Sequence, residues 1–374
     1  MRLSGLAIRH FRNLGSQELE LPSEGVALIG DNAQGKSNFL EAIYYLETLR
    51  SFRGARDQEL ISFEEGVFRV AGTMQPTDAS VRSEVVAAAF ERRGKRKKVT
   101  VDGAEPVRMG DALGHLAAVV FSPADIDLVS GGPSERRRFI DIVLSLNQPG
   151  YMSALQGYRK VLVRRNASLK TGQPGAVVQA WDKGLVTAGA VVMGARRDWV
   201  QGRGGAFGDY YRRVSNGEGA RMAYRPNVSL EGATSGEDIC AAFQEALSAS
   251  SERERRMGTT VVGPHRDDIL LRLEDADDEL DLRTYGSGGQ RRTAALALRL
   301  VEAQTIRDTR SQRPLILLDD VFAELDEGRS ERVLELMEAE ETGQVVLTAP
   351  KEADVRLRRD SLPRWLIESG KIST

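Results

Sequence analysis

Three short stretches carry side chains whose types and spacing suit phosphate chemistry. Gly30-Asp31-Asn32-Ala33-Gln34-Gly35-Lys36-Ser37 fits the pattern G-x-x-x-x-G-K-[ST]. Its glycines allow backbone N–H groups to wrap phosphate oxygens, Lys36 neutralises the β and γ oxygens of a nucleotide, and Ser37 offers a hydroxyl to Mg²⁺. Leu315-Ile316-Leu317-Leu318-Asp319-Asp320 is an apolar run that ends in two carboxylates, and the C-terminal ends of parallel strands are where nucleotides bind. There Asp319 is expected to hold the metal and its waters, and Asp320, on the other face of the strand end, to orient or deprotonate an attacking water. Ser287-Gly288-Gly289-Gln290 opens a long amphipathic run, Arg291 to Ile306. A serine hydroxyl, two glycine amides and a helix N-terminus make a second anion site. Each stretch has a plainer reading: a capping turn, two solvated aspartates, an ordinary N-cap. Their occurrence together, in this order, argues for the chemical one.

Two sites of this kind in one chain suggest the ATP-binding-cassette arrangement. The serine-glycine loop of one subunit closes over the phosphate loop of another, and a two-fold axis makes two such sites per dimer. ATP then acts as the glue.

The elements that must position these residues are legible in outline. The apolar run Val26 to Ile29 reads as a strand, and after Gly35 the residues Phe39, Leu40, Ile43, Leu46 and Leu49 recur at helical spacing. Strands are also expected at Leu3 to Ile8, Gln17 to Leu21, Val67 to Ala71, Glu84 to Phe90 and Ala117 to Phe121. From Pro123 the pattern turns helical: one helix starts at Pro133 and Ser134, one carries Leu155, Tyr158, Leu162 and Leu169, and a third spans Val177 to Leu185 before a Gly-rich break at 202 to 208. Strands return at Thr259 to Val262, at Ile269 to Leu273 with its partner Leu280 to Arg283 across an acidic turn, at Leu315 to Leu318 and at Gln344 to Leu347. No internal repeat is present. The expected fold is α/β: a cassette-type ATPase head with a mixed sheet and a phosphate loop, built from 1–122 and 259–374, with an inserted, mainly helical lobe over 123–258.

Composition narrows the class. The 374 residues carry 52 Lys plus Arg against 54 Asp plus Glu, a formal charge of -2. Any nucleic-acid contact must therefore come from a local basic face. One is Arg92, Arg93, Lys95, Arg96, Lys97 and Lys98, between two strand-like segments and so a hairpin tip. Another lies between 134 and 170, where Arg136, Arg137, Arg138, Arg159, Lys160, Arg164, Arg165 and Lys170 meet only Glu135 and Asp141 as acids. Both are candidate phosphate-backbone contacts, the alternative being solvated faces paired with acids elsewhere. No helix reads as base-specific. A lone cysteine, Cys240, and scattered His10, His115 and His265 offer no clustered zinc ligands. No apolar run reaches membrane-spanning length and the N-terminus has no cleavage site, so a cytoplasmic setting is expected.

At the level of whole motifs the chain resembles the RecF family, cassette-type ATPases of bacterial recombinational repair related to the head domains of SMC proteins. The resemblance covers nearly the whole length. It is carried by Phe11-Arg12-Asn13-Leu14, by the phosphate loop continuing through Asn38 to Tyr44, by Arg50-Ser51-Phe52-Arg53, Arg136 to Asp141, Gly263-Pro264-His265-Arg266-Asp267-Asp268, the Ser287 signature and Leu318 to Asp326. It implies an ATP-induced homodimer with Mg²⁺ that binds gapped or junction DNA without sequence preference. It also implies roles in repair, replication restart and the SOS response, RecR as partner, and help with recombinase loading. Arg12 and Asn13 are implied near the nucleotide, alongside Gly30 to Asn38 and Ser287 to Gln290. The chain departs from the family in Ala33, where glycine is usual, and in Ala323, where serine is common. Cassette ATPases generally place Glu where Asp320 stands and a switch histidine where this chain has Thr348-Ala349-Pro350. A short carboxylate and no histidine imply slow hydrolysis that times a conformational state, and the resemblance implies that the activity is weak and stimulated by DNA. A transporter subunit would need that histidine and a compact insert. An SMC-like tether would need long heptads, and a small GTPase an Asn-Lys-x-Asp motif; none is present.

Overall fold

The computed structural model describes all residues except 77–81, 275–278, 340–342, 353–354 and 356–361, and no side chain at 323, 324, 338 or 339. The acidic turn expected after Leu273 and the side chain of Ala323 therefore lie outside the described residues. The chain forms two compact units, Met1–Asp125 with Leu298–Thr374, and Ile126–Ala297.

The first unit begins with β1 (Arg2–Arg9), β2 (Gln17–Glu20) and β3 (Gly25–Ile29), followed by α1 (Lys36–Thr48), β4 (Val67–Gln75), β5 (Glu84–Glu91), β6 (Arg96–Val101) and β7 (Ala118–Phe121). An antiparallel sheet of order β2-β1-β4-β5-β6 has one wet face, and β4 accordingly alternates buried and accessible residues. By contrast β3, Gly-Val-Ala-Leu-Ile, is buried at all five positions, as a strand covered on both faces must be. Phe39, Leu40, Ala42, Ile43, Tyr45 and Leu46 of α1 join one core with residues of both sheets, including Leu3, Phe68, Val120 and Leu317. The helix that follows the phosphate loop is thus gripped around most of its circumference.

The second unit contains α2 (Asp127–Ser130), α3 (Pro133–Asn147), α4 (Tyr151–Lys170), α5 (Gly175–Gln179), α6 (Asp182–Ser215), β8 (Gly219–Arg225), α7 (Gly236–Met257), β9 (Asp268–Glu274), β10 (Glu279–Asp281), α8 (Leu282–Tyr285) and the start of α9 (Gly288–Arg310). It is less purely helical than the sequence suggests, because β8 pairs with β9 from Gly219 opposite Glu274 to Arg225 opposite Asp268, and β10 completes a three-stranded sheet. This pairing draws 259–297, which the sequence reading joins to the head, into the unit that holds the insertion. The glycines at 202 to 208 do not end a helix: α6 runs through them, and a Cβ on Gly208 would meet the Ala220 carbonyl at 3.2 Å. Close packing of β8 outweighs the poor helix propensity of glycine. Nor is Thr259 to Val262 a strand. The Thr260 N–H donates to Asn166 Oδ1 at 2.8 Å and the Val261 N–H to Glu254 Oε1 at 2.9 Å, so side chains satisfy this backbone.

The Arg136 and Gly263 blocks form the ionic interior of this unit. Arg136 grips Asp268 with Nε and Nη2 at 2.8 and 3.1 Å. Arg196 reaches Asp141 at 2.8 Å, Asp267 at 3.1 Å and the Pro264 carbonyl at 2.7 Å. Tyr224 donates to the same Asp267 carboxylate. Buried charges are tolerated because each finds several partners.

The chain then returns to the first unit through β11 (Leu315–Asp319), α10 (Glu327–Ala339), β12 (Val345–Ala349), β13 (Arg364–Glu368) and β14 (Lys371–Ser373). The second sheet has the order β14-β13-β3-β12-β11-β7, parallel except for β14. Among these, β13 and β14 have no counterpart in the sequence reading.

Candidate nucleotide-binding site

The loop between β3 and α1 is held open by backbone conformations that few residues accept. Gly35 sits at φ 116°, and a Cβ there would come within 2.9 Å of Asn13 Oδ1. Ala33 also lies in the left-handed region, at φ 66°. The departure from glycine at this position thus places a side chain in a conformation that costs an L-residue about 1–2 kcal/mol.

Lys36 is only 4% exposed, and its ammonium donates to the Gly30 and Asp31 carbonyls at 2.7 and 3.2 Å. Its Nζ stands 4.0 Å from Asp320 Oδ2. Ser37 Oγ donates to Asp319 Oδ1 at 2.7 Å, which joins the end of β11 to the first turn of α1 across the intervening strand β12. Burial is the main reason that the Asp319 carboxyl lies above its usual range; the Ser37 hydrogen bond opposes this, and Asp320 reinforces it. Asp320 itself adopts φ 47°, and its N–H donates to Thr348 Oγ1 at 3.0 Å. Thr348 thus occupies the sheet edge next to both carboxylates.

Asn13 donates to the Ala33 carbonyl at 3.3 Å and accepts from Asn38 Nδ2 at 2.7 Å, and Arg53 donates to Asn38 Oδ1 at 3.1 Å. Arg12 spends Nε and Nη2 on the buried Glu41 carboxylate at 2.9 and 3.1 Å and Nη1 on the Glu59 carbonyl at 3.2 Å. Its observed work is therefore to brace the wall of the site. A further brace comes from the β13–β14 turn. Ser369 N–H donates to Gln34 Oε1 at 2.5 Å and Gly370 N–H to the Gln34 carbonyl at 3.0 Å. Gly370 has φ 79°, and a Cβ there would lie 1.8 Å from the Asn13 carbonyl oxygen. Turn glycines near a chain end give no sequence sign of such a contact.

These residues line a cavity of about 740 Å³. Its lining includes Asn32, Ala33, Gly35, Lys36, Ser37, Asn38 and Asp320, with Arg12 and Asn13. Arg53, Gln58, Glu59, Ile61, Phe63 and Arg92 also line it. The exposed Asp31 and the partly buried Gln34 complete the loop. Sequence reasoning did not place Gln58, Glu59, Ile61 or Phe63 at the site, met Arg53 only within the motif Arg50 to Arg53, and assigned Arg92 to DNA. Gln58, Ile61 and Phe63 belong to no motif.

Ser287 is exposed and caps α9. Its hydroxyl accepts from the Gln290 N–H at 3.2 Å while Gln290 Oε1 accepts from the Ser287 N–H at 2.8 Å, a reciprocal capping box. The exposed Gly288 and the partly buried Gly289 follow it.

The basic clusters divide sharply. Arg93, Lys95 and Arg96 are exposed at the β5–β6 tip, and Lys98 forms an exposed pair with Glu105 at 2.8 Å. Lys97 corrects the expectation of a free tip: its ammonium turns inward to the Leu49 carbonyl at 2.7 Å and Asp57 at 2.9 Å, 5.1 Å from the centre of the Tyr45 ring. Arg165 is a second correction. It is 3% exposed, donates to Asp182 at 2.8 Å and Thr260 at 2.9 Å, and forms an ion pair with Glu254 at 2.7 Å. Arg159 pairs with Asp141 at 2.9 Å, and the Arg164 guanidinium lies 5.6 Å from the Trp181 ring centre. Lys160 remains exposed.

Residues 2–366 match the family described as the RecF/RecN/SMC N terminal domain. The DNA replication and repair protein RecF of Synechococcus sp. (strain JA-2-3B'a(2-13)) is 39% identical over 345 residues, covering 90% of this chain and 89% of its own. A solved structure of the recombination mediator protein RecF-ATP in the RecFOR pathway superposes with a TM-score of 0.89 at 30% identity, covering 100% of this chain and 97% of that one. An Smc head bound to the C-winged helix domain of ScpA gives a TM-score of 0.56 at 17% identity over 100% and 97% of the two chains, a likeness of fold alone.

Proposed function

The chain belongs to the RecF family, within the RecF/RecN/SMC N-terminal domain group, and we propose on that premise that it is an ATP-dependent DNA-binding protein of recombinational repair and replication restart. In this reading ATP joins two copies, the dimer binds gapped duplex or single-strand/double-strand junctions, and slow hydrolysis releases it. RecR as partner, recombinase loading and a cytoplasmic setting come with the family resemblance.

The observation that carries the reading is the convergence of Lys36, Ser37, Asp319 and Asp320. A hydroxyl and a carboxylate 2.7 Å apart, both oxygen donors at a parallel-sheet edge, fit a hard cation such as Mg²⁺. Ser37 and Asp319 would hold it, and its charge would stabilise phosphate oxygens. The loop fits a triphosphate, since Gly35 carries no side chain to block an approach to its backbone N–H groups and the buried Lys36 ammonium is fixed by two carbonyls. Asp320 is the group suited to orient water. Thr348, beside it, has a hydroxyl that does not titrate near neutrality, which supports slow turnover. The capping hydroxyl and first amides at Ser287 to Gln290 are suited to a γ-phosphate held by the other copy. DNA contact falls to Arg93, Lys95, Arg96 and Lys160, with Arg92, Lys98, Arg159 and Arg164 as secondary members, acting through backbone charge.

Sedimentation velocity with and without ATP, and with a gapped duplex, tests the reading. ATP should convert monomer to dimer, DNA should co-sediment with the dimer, and Lys36→Ala should abolish both effects. An ATP-independent oligomeric state that Lys36→Ala leaves unchanged would overturn it.

A further inference from the structure

Lys97 lies between two exposed cations, Arg96 and Lys98, yet its side chain points to the other face of β6 and is only 21% exposed. Strand alternation sets that direction, and Phe90 is its partner across the hairpin. An ammonium on the core side of a sheet must be paired to be tolerated. Here it donates to the Leu49 carbonyl at 2.7 Å, pairs with Asp57 Oδ2 at 2.9 Å and stands 5.1 Å from the centre of the Tyr45 ring. Tyr45 OH donates to the second oxygen of the same carboxylate, Asp57 Oδ1, at 2.8 Å.

These partners belong to two segments that also reach the nucleotide cavity. Leu49 is the residue that caps α1, the helix whose first residue is Lys36 of the phosphate loop. Asp57 opens a three-residue helical turn, Asp57–Glu59, and its next two residues, Gln58 and Glu59, line the cavity. The turn is internally bonded: the Glu59 N–H donates to the Arg56 carbonyl at 2.8 Å, and the Arg56 N–H to Glu59 Oε2 at 2.8 Å. The Glu59 carbonyl in turn accepts from Arg12 Nη1 at 3.2 Å. A displacement of Gln58 or Glu59 therefore carries Asp57 with it. One ammonium thus ties the far end of the phosphate-loop helix and a turn of the cavity lining to β6, and Lys95 and Arg96 at the hairpin tip adjoin it in the chain.

We propose that Lys97 is a positioning residue through which nucleotide in the cavity sets the β5–β6 tip for DNA. A ligand that shifts α1 relative to the Asp57–Glu59 turn changes the gap between the Leu49 carbonyl and the Asp57 carboxylate. The ammonium can keep both partners only if β6 follows. The inference rests on the nucleotide and DNA readings given above, and adds to them the joint between the two sites. Such a coupling is reciprocal: the factor by which ATP raises DNA affinity is the factor by which DNA raises ATP affinity.

The test measures binding of a fluorescent gapped duplex to the full chain by anisotropy, with and without ATP, and takes the ratio of the two affinities. In the parental chain the ratio should be about tenfold or more. Lys97→Met keeps the stem and removes the ammonium; Asp57→Asn keeps an acceptor for Tyr45 and removes the charge partner. Each should cut the ratio about fivefold, with ATP affinity in the absence of DNA and ATP-induced dimerisation unchanged. Lys97→Arg should restore most of it, because a guanidinium can donate to both partners. The two variants also separate coupling from charge. Lys97→Met removes a positive charge and Asp57→Asn a negative one, so simple attraction to phosphate would move DNA affinity in opposite directions and leave the ratio intact. That pattern would overturn the joint, as would a parental ratio in both variants. A parental chain that binds ATP and DNA independently would overturn it too and leave the nucleotide site standing. Failure of the parental chain to bind ATP would remove the nucleotide reading itself, and the joint with it.

Discussion

His265 gives the second unit a calculable sensitivity to acid. Its Nδ1 is 2.6 Å from Tyr158 OH and its Nε2 is 3.2 Å from the Thr260 carbonyl. A carbonyl can only accept, so Nε2 carries the proton and Nδ1 accepts from the tyrosine: the ring is neutral in the fold. Burial, and then the positive charges of Arg266, Arg137 and Arg196, push its pKa from 6.5 down to about 4. The sign follows. Above about pH 7.5 neither state is appreciably protonated and the contribution is intact; as pH falls through 6.5 toward 4 the unfolded chain takes up a proton that the fold refuses, and stability is lost. Between about pH 7.5 and pH 5 the loss is about 2 kcal/mol, or about thirtyfold in the opening equilibrium. Hydrogen exchange at the amides of α4, corrected for intrinsic rates, reads that opening. His265→Asn keeps an acceptor oxygen for Tyr158 and removes the titration, so its α4 amides should lose far less protection over the same range. Equal losses in the two proteins, or none in the parental chain, would refute the argument.

Three further outcomes are expected. Asp320→Asn should let ATP-bound dimers form and persist, with turnover measured by phosphate release falling at least tenfold; parental turnover would assign the water to another group. Ser287→Arg should leave ATP binding by isolated monomers near normal and block dimer closure in sedimentation, whereas loss of monomer binding would place the serine in its own chain's site. The arginines should separate by role. Arg165→Ala leaves Glu254 and Asp182 without their buried cation and should cost about 3–5 kcal/mol in a thermal melt, whereas Lys95→Glu with Arg96→Glu should leave the melt alone and lower the salt slope of DNA affinity by about one unit per lost contact. Unchanged slope and affinity would move the DNA path elsewhere.

The parts of the site that sequence made legible are those where chemistry dictates residue type at short range. Gly35, Lys36 and Ser37 are adjacent, and Asp319 ends a strand whose apolar run announces its burial on both faces. What stayed hidden depends on distant segments. Nothing in Lys95-Arg96-Lys97-Lys98 marks Lys97 as different, because its partners Asp57 and Leu49 lie far upstream; nothing around Arg165 announces Glu254. Strand β8 was hidden for a similar reason, since its hydrogen bonds go to β9, and Thr259 to Val262 looked like a strand because β-branched residues suit strands even where side chains satisfy the backbone. Phe63 carries no signal at all. A single aromatic in a turn is ordinary in sequence, and only its place in the cavity lining makes it informative.

The strand that launches the phosphate loop has both of its sheet neighbours at the far end of the chain: β3 lies between β12 and β13. On the ribosome, β3 therefore leaves the exit tunnel with five apolar residues and no strand to pair with on either side. At about 5–20 residues per second the wait for β12 is on the order of tens of seconds. The nucleotide site is thus a late product of synthesis, and nascent chains that stop before β12 present an unpaired apolar strand in place of an ATP site. That unpaired strand is a physical mark that distinguishes unfinished copies from finished ones.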